Sequence, residues 1–162
     1  SSSFNNMSVS EKLLEQTGVI GEKIEIGTFK KLTAPYVGHY IHNGNKIASI
    51  IGLSGIIKGA EEISKNVCMQ VAAMNPIALD ENTVPTEIVQ KEIEIAKDQL
   101  RKEGKPEEML EKISQGKMKR FFKDNTLINQ SYIKDNTMTV KDYLKLSDSD
   151  LKITDFQRFS LT

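Results

Sequence analysis

The rhythm of apolar and polar residues changes several times along the chain, and each change marks an element. Ser8 stands three residues before Glu11, the spacing of a capping box, and Leu13 and Leu14 supply an apolar side. A short helix is predicted over 8–16, broken by Gly18 and Gly21. Ile24, Ile26 and Phe29 then predict a strand over 23–31, bulged near Gly27 and ended by Pro35. Two further strands are expected over 36–42 and 46–53. The pair Asn43-Gly44 between them tolerates positive φ, so it predicts a tight hairpin turn with His42 and Asn45 at the exposed tip of a two-stranded ribbon.

A helix follows over 57–74, where Ala60, Ile63, Val67, Val71 and Met74 recur at three- and four-residue steps and make one apolar face to pack across the sheet. Asn75-Pro76 closes it, because the residue before proline is driven out of the α region. From 84 to 122 the composition shifts to Glu and Lys, with Gly104-Lys105-Pro106 splitting the run. This predicts a helical hairpin. Val89, Ile93, Ala96 and Leu100 repeat at steps of four, three and four, a heptad seam, and Met109, Leu110 and Ile113 face it from the second helix. Gly104 suits a left-handed cap, Pro106 a first turn, and Gly116 a close backbone approach. So little apolar surface leaves the hairpin marginal alone, so it is expected to protrude and find a partner. Thr139 and Asp142 then cap a helix of one or two turns with Val140, Tyr143 and Leu144 inward. The chain ends in a strand over 151–161, where Ile153, Phe156, Phe159 and Leu161 break strict alternation and predict a bulge or two-sided burial.

Charge changes the picture by exclusion. The 22 basic and 22 acidic side chains of this 162-residue chain cancel, leaving no overall excess to release counterions from nucleic acid or to seek anionic lipid. No run of about 18 apolar residues occurs, so neither nucleic acid nor membrane is an expected partner. The serine- and asparagine-rich start lacks the basic and apolar regions of a signal peptide and reads as a linker left after an upstream module. Cys68, the single cysteine, excludes an internal disulfide and fits a reducing compartment, so the cytoplasm is the expected location.

Candidate chemistry is sparse. His39 and His42 are three apart in a strand and fall on opposite faces, a poor arrangement for one ion, and no metal site is expected. Cys68 lies in an apolar helix and reads as a small buried hydrophobe. No glycine-rich phosphate cradle or nucleophile elbow occurs, which argues against an enzyme and implies no cofactor. Glu107 and Glu108 are explained by the helix dipole, as are Lys117, Lys119, Arg120 and Lys123 at a helix C-terminus.

Several segments in order resemble the elongation factor Ts family: GHYIHNGNKIASII at 38–51, VCMQVAAMNP at 67–76, VPTEIVQKE at 84–92, GKPEEMLEKISQGKMKRFFKDNTLINQSYIKD at 104–135, TVKDYL at 139–144 and FQRF at 156–159. The resemblance covers about 21–159. It implies an α+β fold, a small antiparallel β-sheet packed with helices, from which an antiparallel coiled-coil hairpin protrudes; the element pattern points the same way. The implied organisation is 1–20 as linker and end of a preceding helix, 21–83 with 124–162 as the core subdomain, and 84–123 as the inserted hairpin. The implied function is guanine-nucleotide exchange on elongation factor Tu, with Tyr40, Ile41, His42, Asn43 and Gly44 as partner-binding residues. His42 matches the family histidine that contacts the nucleotide-binding domain. The seam Val89, Ile93, Ala96, Leu100, Leu110 and Ile113 holds the hairpin and offers a homodimer contact. The family's N-terminal module and its Thr-Asp-Phe wedge find no counterpart; Thr154-Asp155-Phe156 aligns with a different segment and is assigned to packing. The alternative is a self-association module with no effect on nucleotide.

Overall fold

The computed structural model describes residues 3–4, 6–42 and 44–161. They divide into two compact units, 1–31 and 32–162.

In the first unit β1 (Ser3–Phe4) pairs antiparallel with β2 (Met7–Ser8), and α1 (Val9–Ile20) follows. The expected capping box forms: Ser8 Oγ accepts the Glu11 N–H at 3.2 Å, and Glu11 Oε2 accepts the Ser8 N–H at 2.7 Å. Those two bonds hold the Glu11 carboxyl below its ordinary range. Gly18 is accommodated inside the helix, which runs on to Gly21 at φ +80°. The strand expected over 23–31 does not form; no strand is assigned between α1 and Tyr36. Alternation states which side chains share a side, whereas a strand also needs a neighbour for its backbone N–H and C=O groups. None of the described strands pairs with this stretch, and Phe29 is 83% exposed.

The second unit is α+β. Its elements are β3 (Tyr36–Ile41), β4 (Ile47–Leu53), α2 (Ala60–Met74), a 3-10 turn at Glu81–Thr83, α3 (Thr86–Lys102), α4 (Glu107–Asn125), β5 (Ser131–Tyr132), β6 (Asp135–Thr139), α5 (Val140–Ser147) and β7 (Ile153–Ser160). β4 is the centre of an antiparallel sheet in the order β3-β4-β7, and β5 and β6 form a separate hairpin. The predicted bulge lies in β7: Gly52 pairs with Asp155 and Leu53 with Ile153, leaving Thr154 as the extra residue.

One face of the sheet carries the core. Ile51, Leu53 and Ile153 meet Ala60, Ile63, Val67, Cys68 and Val71 of α2, with Tyr36, Tyr40 and Phe156 at the margin. Each fully buried aliphatic side chain contributes roughly 1.5–3 kcal/mol relative to exposure. The helix lies so close to the sheet that a Cβ on Gly38 would fall 2.3 Å from Ser64 Cβ. Polar bonds fix the stack: Ser49 Oγ donates to Cys68 O at 2.7 Å, and Arg158 Nε to Ala72 O at 3.2 Å. Two details depart from the sequence pattern. α2 starts at Ala60, because Gly59 takes φ +82°, and Met74 at the other end is 47% exposed instead of joining the buried face.

A buried polar network joins α2 to the 126–143 segment. Gln70 donates to Gln130 Oε1 and Ser131 O, both at 3.1 Å, and accepts the Ile133 N–H at 2.8 Å. Asn66 donates to Tyr143 Oη at 2.8 Å and accepts from Lys134 Nζ at 2.7 Å. Tyr143 stacks on Tyr132 with centroids 4.3 Å apart. The Thr139–Asp142 capping box starts α5, whose Val140 and Leu144 reach the core.

α3 and α4 pack on each other. Gly104 at φ +75° turns the chain between them, and the ion pairs Arg101–Glu107 at 2.6 Å and Lys97–Glu111 at 2.6 Å step backward along α3 as they step forward along α4, so the helices are antiparallel. The Arg101 hydrogen bonds lower the Glu107 carboxyl, and Lys97 lowers Glu111. Ala96, Leu100, Leu110, Ser114 and Met118 are the buried residues of the pair. Met109 is 48% exposed and faces away from the seam, and a Cβ on Gly116 would meet nothing within 4 Å, so that glycine provides no close approach. Where the chain leaves and re-enters the body, Ile77 N–H bonds Asn125 O, Leu127 N–H bonds Ala78 O and Ile128 N–H bonds Leu79 O, at 2.9 to 3.0 Å.

Candidate functional site

The second face of the sheet is not covered by α2. Alternation places Val37, His39 and Ile41 of β3 on it, opposite Gly52, Ile50 and Ala48 of β4, which in turn oppose Asp155, Gln157 and Phe159 of β7. The Gly52 end is occupied by the approach to β3: a Cβ there would lie 2.7 Å from Ala34 Cβ and 3.0 Å from Leu32 Cδ2. Val37, at that same end, is still 42% exposed and Ile41 at the other end 57%, with His39 exposed between them. An apolar strip therefore runs along β3 to the ribbon tip.

At the tip β3 ends at Ile41 and β4 begins at Ile47, so the connection is longer than a two-residue turn. His42 N–H bonds Ile47 O at 2.8 Å, and Asn45 N–H bonds His42 O at 2.9 Å. Gly44 and Asn45 have φ +87° and +55°; Gly tolerates this region freely and Asn better than most residues. Asn43 lies outside the described residues. His42 is exposed, and its Nδ1 sits 3.1 Å from Tyr40 Oη with the rings edge-on at 6.0 Å. Tyr40 packs against the core, so one side chain both anchors the strand and restrains the imidazole. When Nδ1 accepts the tyrosine proton, Nε2 carries the remaining hydrogen and is left as a donor.

The other sequence candidates fall as follows. Tyr40, Ile41, His42 and Gly44 come together at the tip. Ala96, Leu100 and Leu110 are buried between α3 and α4, whereas Val89, Ile93 and Ile113 are half-buried. Val89 and Ile93 line a groove of about 310 Å³ with Met118 and Phe122. Cys68 is fully buried, and burial pushes its thiol up to about 12, as befits a packed side chain and not a nucleophile. Lys117 reaches Gln99 at 3.4 Å and Arg120 pairs with Asp124 at 3.5 Å, so part of the basic run serves α3 and α4. Phe156 packs on the core, and the Asp155 carboxylate accepts the Phe156 N–H at 2.7 Å. Among the described residues no group of three His, Cys, Asp or Glu is placed to hold a metal, and no helix is long and apolar enough to cross a membrane.

A family model for Elongation factor TS matches residues 1–162. The chain belongs to the elongation factor Ts family. The elongation factor Ts of Christiangramia forsetii is 61% identical over 158 residues, which are 98% of this chain and 58% of that protein. That of Flavobacterium psychrophilum is 57% identical over 160 residues, 99% of this chain and 58% of the relative. That of Azobacteroides pseudotrichonymphae is 40% identical over 153 residues, 94% and 56% respectively. The chain spans a little over half the length of the curated relatives it matches.

Within this chain the sequence pattern marks the tip but not the strip beside it. Val37, His39, Ile50 and Phe159 belong to strands whose both faces carry apolar residues, so alternation alone did not separate the covered face from the open one. The pairing of β7 against β4 makes that distinction.

Proposed function

We propose that the chain acts in translation elongation, as the part of a guanine-nucleotide exchange factor that presents a docking surface to elongation factor Tu. Membership of the elongation factor Ts family along all 162 residues carries this reading. The ribbon tip, where Ile41, His42 and Gly44 are exposed, and the apolar strip of β3 supply a surface suited to it. No acid, base or nucleophile is needed. An exchange factor accelerates release by binding the nucleotide-free GTPase more tightly than the nucleotide-bound one, and bound nucleotide weakens the factor by the same free energy, typically ~1–3 kcal/mol for coupled sites.

In this proposal the sheet docks, Tyr40 holds His42 in place, and the imidazole displaces elements around the partner's phosphate and magnesium site. Residues 21–83 with 124–162 form the presenting subdomain, 84–123 the inserted hairpin, and the cytoplasm is where the protein works. The chain alone binds weakly and exchanges poorly, because the Thr-Asp-Phe wedge of the family has no counterpart in it. The test is the release of fluorescent GDP from elongation factor Tu with the 162-residue chain present; release at the speed of a complete factor refutes the proposal.

The groove lined by half-buried Val89, Ile93 and Phe122 beside buried Met118 favours a second reading, in which the α3–α4 pair extends into a coiled coil with a second copy and serves dimerisation. Sedimentation with and without elongation factor Tu separates the two: self-association without a mixed complex supports only the second.

A further inference from the structure

A crevice of about 290 Å³ lies beside α5 and the start of β7, away from the ribbon tip in sequence. Its walls come from Leu144, Leu151, Ile153, Leu79 and Ile128, the first three buried and the last two half-buried. Its rim is basic: Lys141, Lys145 and Lys152 all line it and are all exposed. None of the three ammonium groups makes a hydrogen bond or close ion pair with the protein's described residues. Lys141 and Lys145 are four apart on α5, a like-charge spacing that disfavours the helix when left uncompensated.

The acids nearby are already engaged. Asp80, which also lines the crevice, accepts the Asn82 and Thr83 N–H groups at 2.9 and 3.0 Å. Asp142 accepts the Thr139 hydroxyl at 2.6 Å and the Thr139 N–H at 3.1 Å, which hold its carboxyl below the ordinary range, with a smaller contribution from the charges of Lys145 and Lys141. Three cations and one acid, Asp80, line the mouth, while Asp148 and Asp150 line a separate crevice on the other side of Leu151.

We infer that this crevice docks an acidic peptide segment of a partner protein, with one apolar side chain seated on Leu144 and Leu151 and flanking carboxylates on Lys141, Lys145 and Lys152. The apolar floor matches an anchor residue desolvated at the centre of a small interface, and the lysines match the polar rim around it. A phosphate would find no cradle here, because the capping box at Thr139 engages the start of α5. The inference does not rest on the exchange reading.

The experiment is fluorescence anisotropy of a labelled hexapeptide, two glutamates, phenylalanine, leucine and two aspartates, titrated with the 162-residue chain. A peptide with lysines in place of the four acids is the control. The acidic peptide binds saturably and the basic one does not. Raising salt from about 0.02 to about 0.2 M weakens binding several-fold, as screening at this range requires. The triple variant K141E/K145E/K152E and the crevice-filling variant Ser149→Trp each weaken it about tenfold or more. Both changes are at exposed positions, and unchanged far-UV circular dichroism verifies the fold. Absence of saturable binding, or binding unaffected by either variant, overturns the inference. So does preferential capture of a single-stranded oligouridylate that loses affinity in the lysine variant but not in Ser149→Trp.

Discussion

Gly38→Ala tests how the sheet that displays His42 is held. The added Cβ would stand 2.3 Å from both Cβ and Oγ of Ser64 and 3.3 Å from its Cα. Carbon atoms in contact sit about 3.5–4.0 Å apart, so helix and strand must separate by more than about an ångström. Rotating the serine hydroxyl, which donates to Glu61 O at 2.9 Å, relieves only the oxygen; the Cβ cannot move without α2. Overpacking of this kind costs ~1–3 kcal/mol, and with backbone-linked atoms on both sides the upper half of that range is expected. Ser64→Gly alone costs roughly 0.5 kcal/mol through helix propensity. The double variant Gly38→Ala/Ser64→Gly is therefore expected to be more stable than the sum of the two single losses by about 1 kcal/mol or more. Gly38→Ala/Ser64→Ala keeps the offending Cβ and gains nothing. The chain has no tryptophan, so the measurement is urea unfolding followed by far-UV circular dichroism. Additive losses in the glycine pair, or equal rescue by alanine, would show that the close approach of Gly38 to Ser64 does not govern the packing.

Gln70→Ala strips a fully buried side chain from Gln130, Ser131 and the Ile133 N–H and is expected to cost about 3 kcal/mol in the same assay, since orphaned buried groups cost ~1–3 kcal/mol each. Leu110→Ala, at 2% exposure, is expected to lose ~2–4 kcal/mol, whereas Met109→Ala on the outer side changes little. Cys68 should resist iodoacetamide at pH 8 until the chain unfolds, because its folded thiol ionises only near pH 12. The unfolded thiol ionises near its ordinary value of 9.0. From there to about 12 the unfolded state releases a proton that the folded state keeps, so this group makes stability fall as pH rises through that window; urea midpoints at pH 8 and 10 in the wild type and Cys68→Ala measure it.

What could be read in advance depended on whether the information was local. Ser8 with Glu11 and Thr139 with Asp142 announced their helices because a capping box is complete within four residues. Gly104-Lys105-Pro106 announced the turn between α3 and α4 for the same reason, and the heptad spacing found Ala96, Leu100 and Leu110. The His42 tip was legible because positive-φ residues cluster there. Features that depend on a distant neighbour were hidden. Residues 23–31 alternate like a strand yet none of the described strands pairs with them. Gly116 looked like the glycine of close approach, while Gly38, across from Ser64, is the one that needs the absence of a Cβ. Nothing local marks Gln70 and Asn66 as buried, but the segment around Tyr132 and Tyr143 closes over them and satisfies their amides. The crevice lysines were equally anonymous, since α5 and Lys152 meet only once β7 is in place.

The central claim is that the Tyr40–Gly44 tip helps an emptied GTPase prevail over the nucleotide-bound one. Its most direct test is fluorescent GDP release from elongation factor Tu, driven by the chain extended to the full length of its relatives, with His42 intact or replaced by alanine. The account predicts that His42→Ala slows factor-stimulated release about fivefold or more, within the range of measured site couplings. Equal rates at saturating and sub-saturating factor would contradict it.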